Sequence, residues 1–181
     1  MKKPSTIYTI GHSTRDLDDF LFLLTKNKIE LLADVRSFPG SRKYPQFNRE
    51  NLAVCTPEVG VEYMHFKDLG GRRKLNKGSL NTSWHNTSFR SYADYMETKA
   101  FKNATAELIK IAKEKKTCIM CSEAVWWRCH RSMIADYLKS KNWTVFHIIS
   151  SEKMQEHPYT QPAKIINGKL VYGPEIGLFE S

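Results

Sequence analysis

A chain of 181 residues, 41% hydrophobic and 26% charged, fits one folded domain with its own core and excludes a disordered polymer. No apolar run nears the ~20 residues needed to cross a bilayer, and the opening MKKPSTIYTIGHS lacks the long apolar stretch of a leader, so no membrane association is expected. The formal charge is +9, and residues 61–120 carry 12 basic against 6 acidic side chains; a phosphate-bearing partner and a plain solvated surface both fit this excess.

The predicted elements alternate between strand and helix. Ile7-Tyr8-Thr9-Ile10 reads as a first strand, ended by Gly11-His12-Ser13. Thr14 is the expected cap of a helix whose inward face carries Leu17, Phe20, Leu21 and Leu24. Leu31 to Val35 is a second strand; its continuous apolarity suits a parallel sheet covered on both faces. After a loop from Ser41 to Asn48, a short helix is expected over Arg49 to Val54 and a third strand over Val61 to Phe66. The connection from Lys67 to about His85 is long and basic, as binding loops tend to be. Two helices follow, one beginning near Ser88 and one over Lys102 to Lys115; Phe89, Tyr92 and Met96 form a core stripe. Thr117 to Cys121 is a fourth strand, Cys129 to about Lys141 a helix, and Thr144 to Ile149 a fifth strand. Asn167-Gly168, set between apolar runs, marks a C-terminal hairpin. The expected fold is therefore α/β: a single domain over 1–181, a three-layer open sheet, mostly parallel and Rossmann- or flavodoxin-like.

In such a sheet, ligands sit beyond the carboxyl ends of the strands. Those ends supply His12 and Ser13; Asp34, Arg36 and Ser37; His65 and the loop beyond it; and Ser122 and Glu123. Glu123 is the candidate general acid/base or nucleophile, with His12 its partner; equally, Glu123 serves to hold an arginine, and His12 to close a turn. Asp34 and Arg36 fall on one side of their strand, presented to a substrate or neutralising each other. Gly70, Gly71 and Arg72 suit anion binding, since glycine lets backbone amides approach a phosphate. Cys129, His130 and Arg131, at a predicted helix start, form a candidate phosphate seat, and the position favours a Cys129 thiolate. Cys118 and Cys121, three apart on a strand, face opposite sides and read as structural thiols. Cys121, Cys129 and His130 lack an evident fourth ligand, so no metal and no cofactor are expected. The pairs Trp84-His85 and Trp126-Trp127, near basic residues, suit base stacking or the closing of a core edge.

Taken together, Thr9-Ile10-Gly11-His12-Ser13, Asp34-Val35-Arg36-Ser37 with Pro39 and Ser41, Leu69-Gly70-Gly71-Arg72, Tyr92-Ala93 with Tyr95-Met96, Cys121 with Glu123, and Cys129-His130-Arg131 resemble the family DUF488. The resemblance spans almost the whole chain and implies a Rossmann-like α/β fold with its site at the strand ends. The leading functional expectation is a cytoplasmic hydrolase or transferase acting on a nucleotide or nucleic acid, with an N-glycosidic bond as one candidate for the bond attacked. Glu123 and His12 would be catalytic; Arg36, Arg72 and Arg131 would clamp the anion. One alternative is a non-catalytic nucleic-acid-binding module; another is a thiol- or metal-dependent enzyme centred on Cys129. The four cysteines suit a reducing compartment, and the sequence sets no oligomeric state.

Overall fold

A computed structural model describes residues 5–174. Five parallel strands, β1 (Thr6–Gly11), β2 (Leu31–Asp34), β3 (Glu62–His65), β4 (Thr117–Cys121) and β5 (Thr144–Ile148), join an antiparallel edge strand, β6 (Met154–Glu156). Their spatial order is β3-β2-β4-β1-β5-β6. A separate hairpin pairs β7 (Lys164–Ile166) with β8 (Lys169–Val171) across Asn167 (φ 50°) and Gly168 (φ 73°), the left-handed pair that a two-residue turn requires.

Strand alternation divides the core in two. Ile10, Leu32, Cys118 and Met120 pack under α1 (Leu17–Lys26) and α2 (Arg49–Glu58), against Phe20, Leu23, Leu24 and Leu52. Ile7, Ala33, Ile119 and Cys121 face the other way, against α3 (Thr87–Met96), α4 (Lys99–Ala112) and α5 (Arg131–Ser140). The three layers follow, each buried Leu, Ile or Phe contributing roughly 1.5–3 kcal/mol. The opposition of Cys118 and Cys121 is this same alternation.

Several boundaries differ from expectation. Helix α1 begins after Asp16 rather than Thr14, because Ser13 turns the chain at φ 49° and the Arg15 amide closes onto the His12 carbonyl. Helix α2 runs four residues past Val54 and ends just after Pro57. Helix α5 starts two residues after Cys129; Trp126–Arg128 forms a separate 3-10 turn. Strand β6 lacks a sequence signature, since its three residues are polar or exposed and only pairing with β5 defines them.

The connections fix where a ligand can sit. From β1 the chain passes under α1 toward β2, and from β4 it passes through α5, on the opposite face, toward β5. The neighbours β1 and β4 thus send their loops to opposite sides, which defines a crevice at their carboxyl ends.

Candidate functional site at the carboxyl edge of the sheet

Pairing of β1 with β4 continues past the strands. The His12 amide donates to the Cys121 carbonyl (3.0 Å) and the Ser13 amide to that of Ser122 (2.9 Å). The loops then part. Gly11 sits at this junction; a Cβ there would lie 1.8 Å from the Glu123 carbonyl oxygen, so only glycine lets the two loops meet.

On the α1–α2 side the edge is an ionic cluster. Asp34 accepts from Arg36 through the backbone amide (3.0 Å), Nε (2.9 Å) and Nη2 (2.6 Å), and from the Tyr63 hydroxyl (2.6 Å). Of the two readings of this pair, the structure therefore takes the neutralising one, and both groups are buried. Arg36 also donates to the Phe47 carbonyl (2.7 Å) and, through Nη1, reaches His12 Nε2 (3.3 Å). His12 Nδ1 faces the Ser13 carbonyl (3.0 Å), an acceptor, which puts the ring proton on Nδ1 and leaves the Nε2 lone pair for Arg36. Phe47 stacks on the imidazole at 4.3 Å between ring centroids. Burial, and then the Arg36 charge, push the His12 imidazole below its usual range, so it stands neutral. Burial and the Asp34 carboxylate push the Tyr63 phenol up.

On the α5 side the edge is sulfur and imidazole. The donor atoms of Cys121, Cys129 and His130 all lie within 4.8 Å of one another. His130 Nδ1 is 3.9 Å from Cys121 Sγ and 3.7 Å from Cys129 Sγ, while Nε2 meets the Val35 carbonyl at 3.0 Å. A hydrogen bond from the Cys129 thiol, with the Arg131 charge behind it, holds Cys121 below the usual thiol range against the effect of burial. Burial, and then the bond to Cys121, push Cys129 up. The sequence favours a Cys129 thiolate, from its place before the helix; in the folded chain the Cys129 thiol instead donates to Cys121 at the end of the strand.

Arg131 is 1% exposed. Its Nη2 donates to the carbonyls of Glu123 (2.8 Å) and Ala124 (2.9 Å), while Nε and Nη1 have no partner among the described residues. It ties down the loop leaving β4, and among the described residues no carboxylate neutralises it. The Glu123 side chain is exposed, and no hydrogen bond or ion pair joins it to His12, Arg36 or Arg131. The structure therefore brings His12 to Arg36, and Cys129 to His130, but leaves the Glu123 carboxylate on the rim.

The remaining candidates, Gly70 to Arg72, touch Ser37 on one side and His130 on the other. The Arg72 amide donates to Ser37 Oγ (3.0 Å), and Gly70 packs against the same serine. Gly71 lies against the His130 ring. The Arg72 guanidinium is exposed and stacks over Phe38 at 5.5 Å, whereas Arg73 folds back on Tyr95 at 3.4 Å.

A cavity of about 630 Å³ is lined by Trp84, Phe89, Trp126, Trp127 and Tyr159, with Asn86, Gln161 and Lys164. None of His12, Arg36, Cys121 and His130 lines it. The loop from β4 nevertheless serves both places, giving Trp126 and Trp127 to the cavity and Cys129 to the edge. Sequence reasoning places both tryptophan pairs in loops and has no signal that they meet. It does name Cys121 with Cys129 and His130, but sets the trio aside for want of a fourth ligand and reads Cys121 as a structural thiol.

Comparison with curated proteins and with solved structures finds no match. A family model matches residues 16–138, a span that begins just after His12 and Ser13 and contains the candidates from Asp34 to Arg131, and the chain accordingly belongs to the family described as Domain of unknown function DUF488.

Proposed function

We propose that the chain is an enzyme that acts by hydrolysis or group transfer on a nucleotide or a nucleic-acid segment. The observation that carries this reading is the cavity that unites Trp84 with Trp126 and Trp127, the last two on the loop that leaves β4. Aromatic walls of this kind stack a planar base, and Asn86, Gln161 and Lys164 on the lining can donate to its edge or to a phosphate. Trp127 is 53% exposed, leaving a ring face for a ligand.

Within this reading the reacting centre is the Cys121, Cys129 and His130 cluster, because these are the reactive groups that the fold gathers. Exposed Glu123, on the adjoining loop, moves a proton for the departing group, and exposed Arg72 meets the anion. His12 positions the edge through Arg36, its own Nε2 being engaged.

Titration with nucleoside monophosphates, followed by tryptophan fluorescence, tests the binding step. Trp127→Ala should weaken Kd by about 5- to 100-fold, as removal of one base–aromatic stack does. An unchanged Kd, or no quenching by any of the four bases, overturns the reading. For the reaction step, Glu123→Gln should lower kcat while leaving Kd intact.

A non-catalytic nucleic-acid-binding role is favoured by a different observation. Arg72, Lys74 and Lys77 are exposed in one loop, without an ion pair among the described residues. It predicts affinity that falls steeply with salt and survives Glu123→Gln.

A further inference from the structure

We propose that Cys121 Sγ, Cys129 Sγ and His130 Nδ1 bind a zinc-class divalent transition metal ion. A fourth position is left for water or a substrate atom. The inference deepens the reading of this edge as the reacting centre, and rests on that reading only for what the metal would do, not for whether it binds.

The spacing fits a tetrahedron. With metal–sulfur bonds of about 2.3 Å and metal–nitrogen bonds of about 2.0 Å, a sulfur–nitrogen edge measures roughly 3.5 Å. The two such edges here are 3.9 and 3.7 Å. The sulfur–sulfur edge, about 3.8 Å in such a tetrahedron, lies within 4.8 Å here, and metal entry draws the two sulfurs together.

The tautomer is already set. The Val35 carbonyl can only accept, so the 3.0 Å contact puts the ring proton of His130 on Nε2. Nδ1 is left with its lone pair directed at both sulfurs. A histidine held by a carbonyl on one nitrogen and directed at thiols by the other is the outer-shell arrangement of metal sites.

A Cβ on residue 71 would lie 2.6 Å from Nδ1, 2.8 Å from Cγ and 3.1 Å from Cε1 of His130, over the face of the ring, so glycine here lets the imidazole keep its place. The ligands stand on rigid elements: Cys121 ends β4, Cys129 closes a 3-10 turn and His130 caps α5. Thiolate with imidazole selects zinc-class ions over magnesium or calcium. Among the described residues no fourth His, Cys, Asp or Glu joins the group. Three protein ligands with one open position distinguish reactive from structural zinc sites.

The full-length chain, reduced, stripped by chelator and reloaded with Zn²⁺ or Co²⁺, should take up one equivalent. The Co²⁺ form should show sulfur-to-cobalt charge-transfer absorption. Cys121→Ser, Cys129→Ser and His130→Gln should each weaken binding by more than about 100-fold, beyond the usual effect of an outer-shell change. Cys55→Ser, on α2 and away from the cluster, should leave stoichiometry intact. X-ray absorption at the zinc edge of the wild-type protein should report two sulfur ligands and a histidine nitrogen, whether or not the variants fold. Substoichiometric uptake, a shell without sulfur, or a Cys121–Cys129 disulfide as the resting state overturns the proposal. Since metal uptake is measured without nucleotide and nucleotide binding by fluorescence, the failure of either leaves the other legible.

Discussion

Asp34 is a short side chain that accepts four hydrogen bonds and neutralises a buried guanidinium. Such pairs reveal themselves when one member is removed, because the other is left charged without a partner. Asp34→Asn should therefore lower unfolding free energy by about 3–5 kcal/mol, read from urea denaturation. It should also release Arg36 from the geometry that engages His12. Gly11 makes a sterically sharper case. A methyl group placed 1.8 Å from the Glu123 carbonyl meets backbone rather than a flexible side-chain tip. Gly11→Ala should cost at least about 1–3 kcal/mol in a thermal melt, and more if the loops separate. From the sequence, Asp34 and Arg36 could be placed on one side of a strand, because that follows from a period of two. Whether they face a substrate or each other depended on Tyr63 and Phe47, which come from other elements.

At the scale of elements, α5 holds the C-terminal part of the described chain. Asp136 accepts from His157 Nε2 (2.9 Å), from the Thr160 amide (2.9 Å) and hydroxyl (2.5 Å), and from the Tyr172 hydroxyl (2.8 Å). The chain of bonds continues from His157 to His147 (2.9 Å) and on to Thr9 on β1 (2.6 Å). Trp126 stacks on His147 at 4.5 Å, so the wall of the aromatic cavity rests on this network. Burial, then the neighbouring His157 and Arg131, lower the His147 pKa from 6.5 to about 2. The unfolded chain binds a proton here below about pH 6.5 and the folded chain does not. The contribution is therefore complete above about pH 6.5 and is lost as pH falls from there toward 2. Its slope is at most about 1.4 kcal/mol per pH unit. Urea midpoints measured across the range from neutral to mildly acidic pH should decline in the wild type and decline less in His147→Gln. Equal slopes would show that another group governs acid stability.

At the scale of the whole molecule, the +9 charge and the direction of the sheet decide what can approach the edge. If nucleic acid binds across the loop of residues 72–77, the plot of log affinity against log salt should be steep. Charge reversal at Lys74 and Lys77 should reduce its slope by about two, near one for each phosphate no longer neutralised. A free nucleotide held in the aromatic cavity should show a far weaker salt dependence. The charge count is additive and needs no fold, which is why the sequence carried it in full. The strand order is different in kind. That β4 lies between β2 and β1 is not written in any local pattern, yet it creates the crevice.

By itself the sequence determined the layers, the five parallel strands, the C-terminal hairpin and the strand ends where polar groups gather. Periodicity and turn chemistry are local, so a single chain suffices to read them. Tertiary structure alone decided which of those polar groups meet. It turned Glu123 outward, engaged Arg36 with Asp34, gathered Cys121 with Cys129 and His130, and joined tryptophans more than forty positions apart. Side-chain direction at a loop depends on the neighbours that crowd it, and those neighbours come from distant parts of the chain.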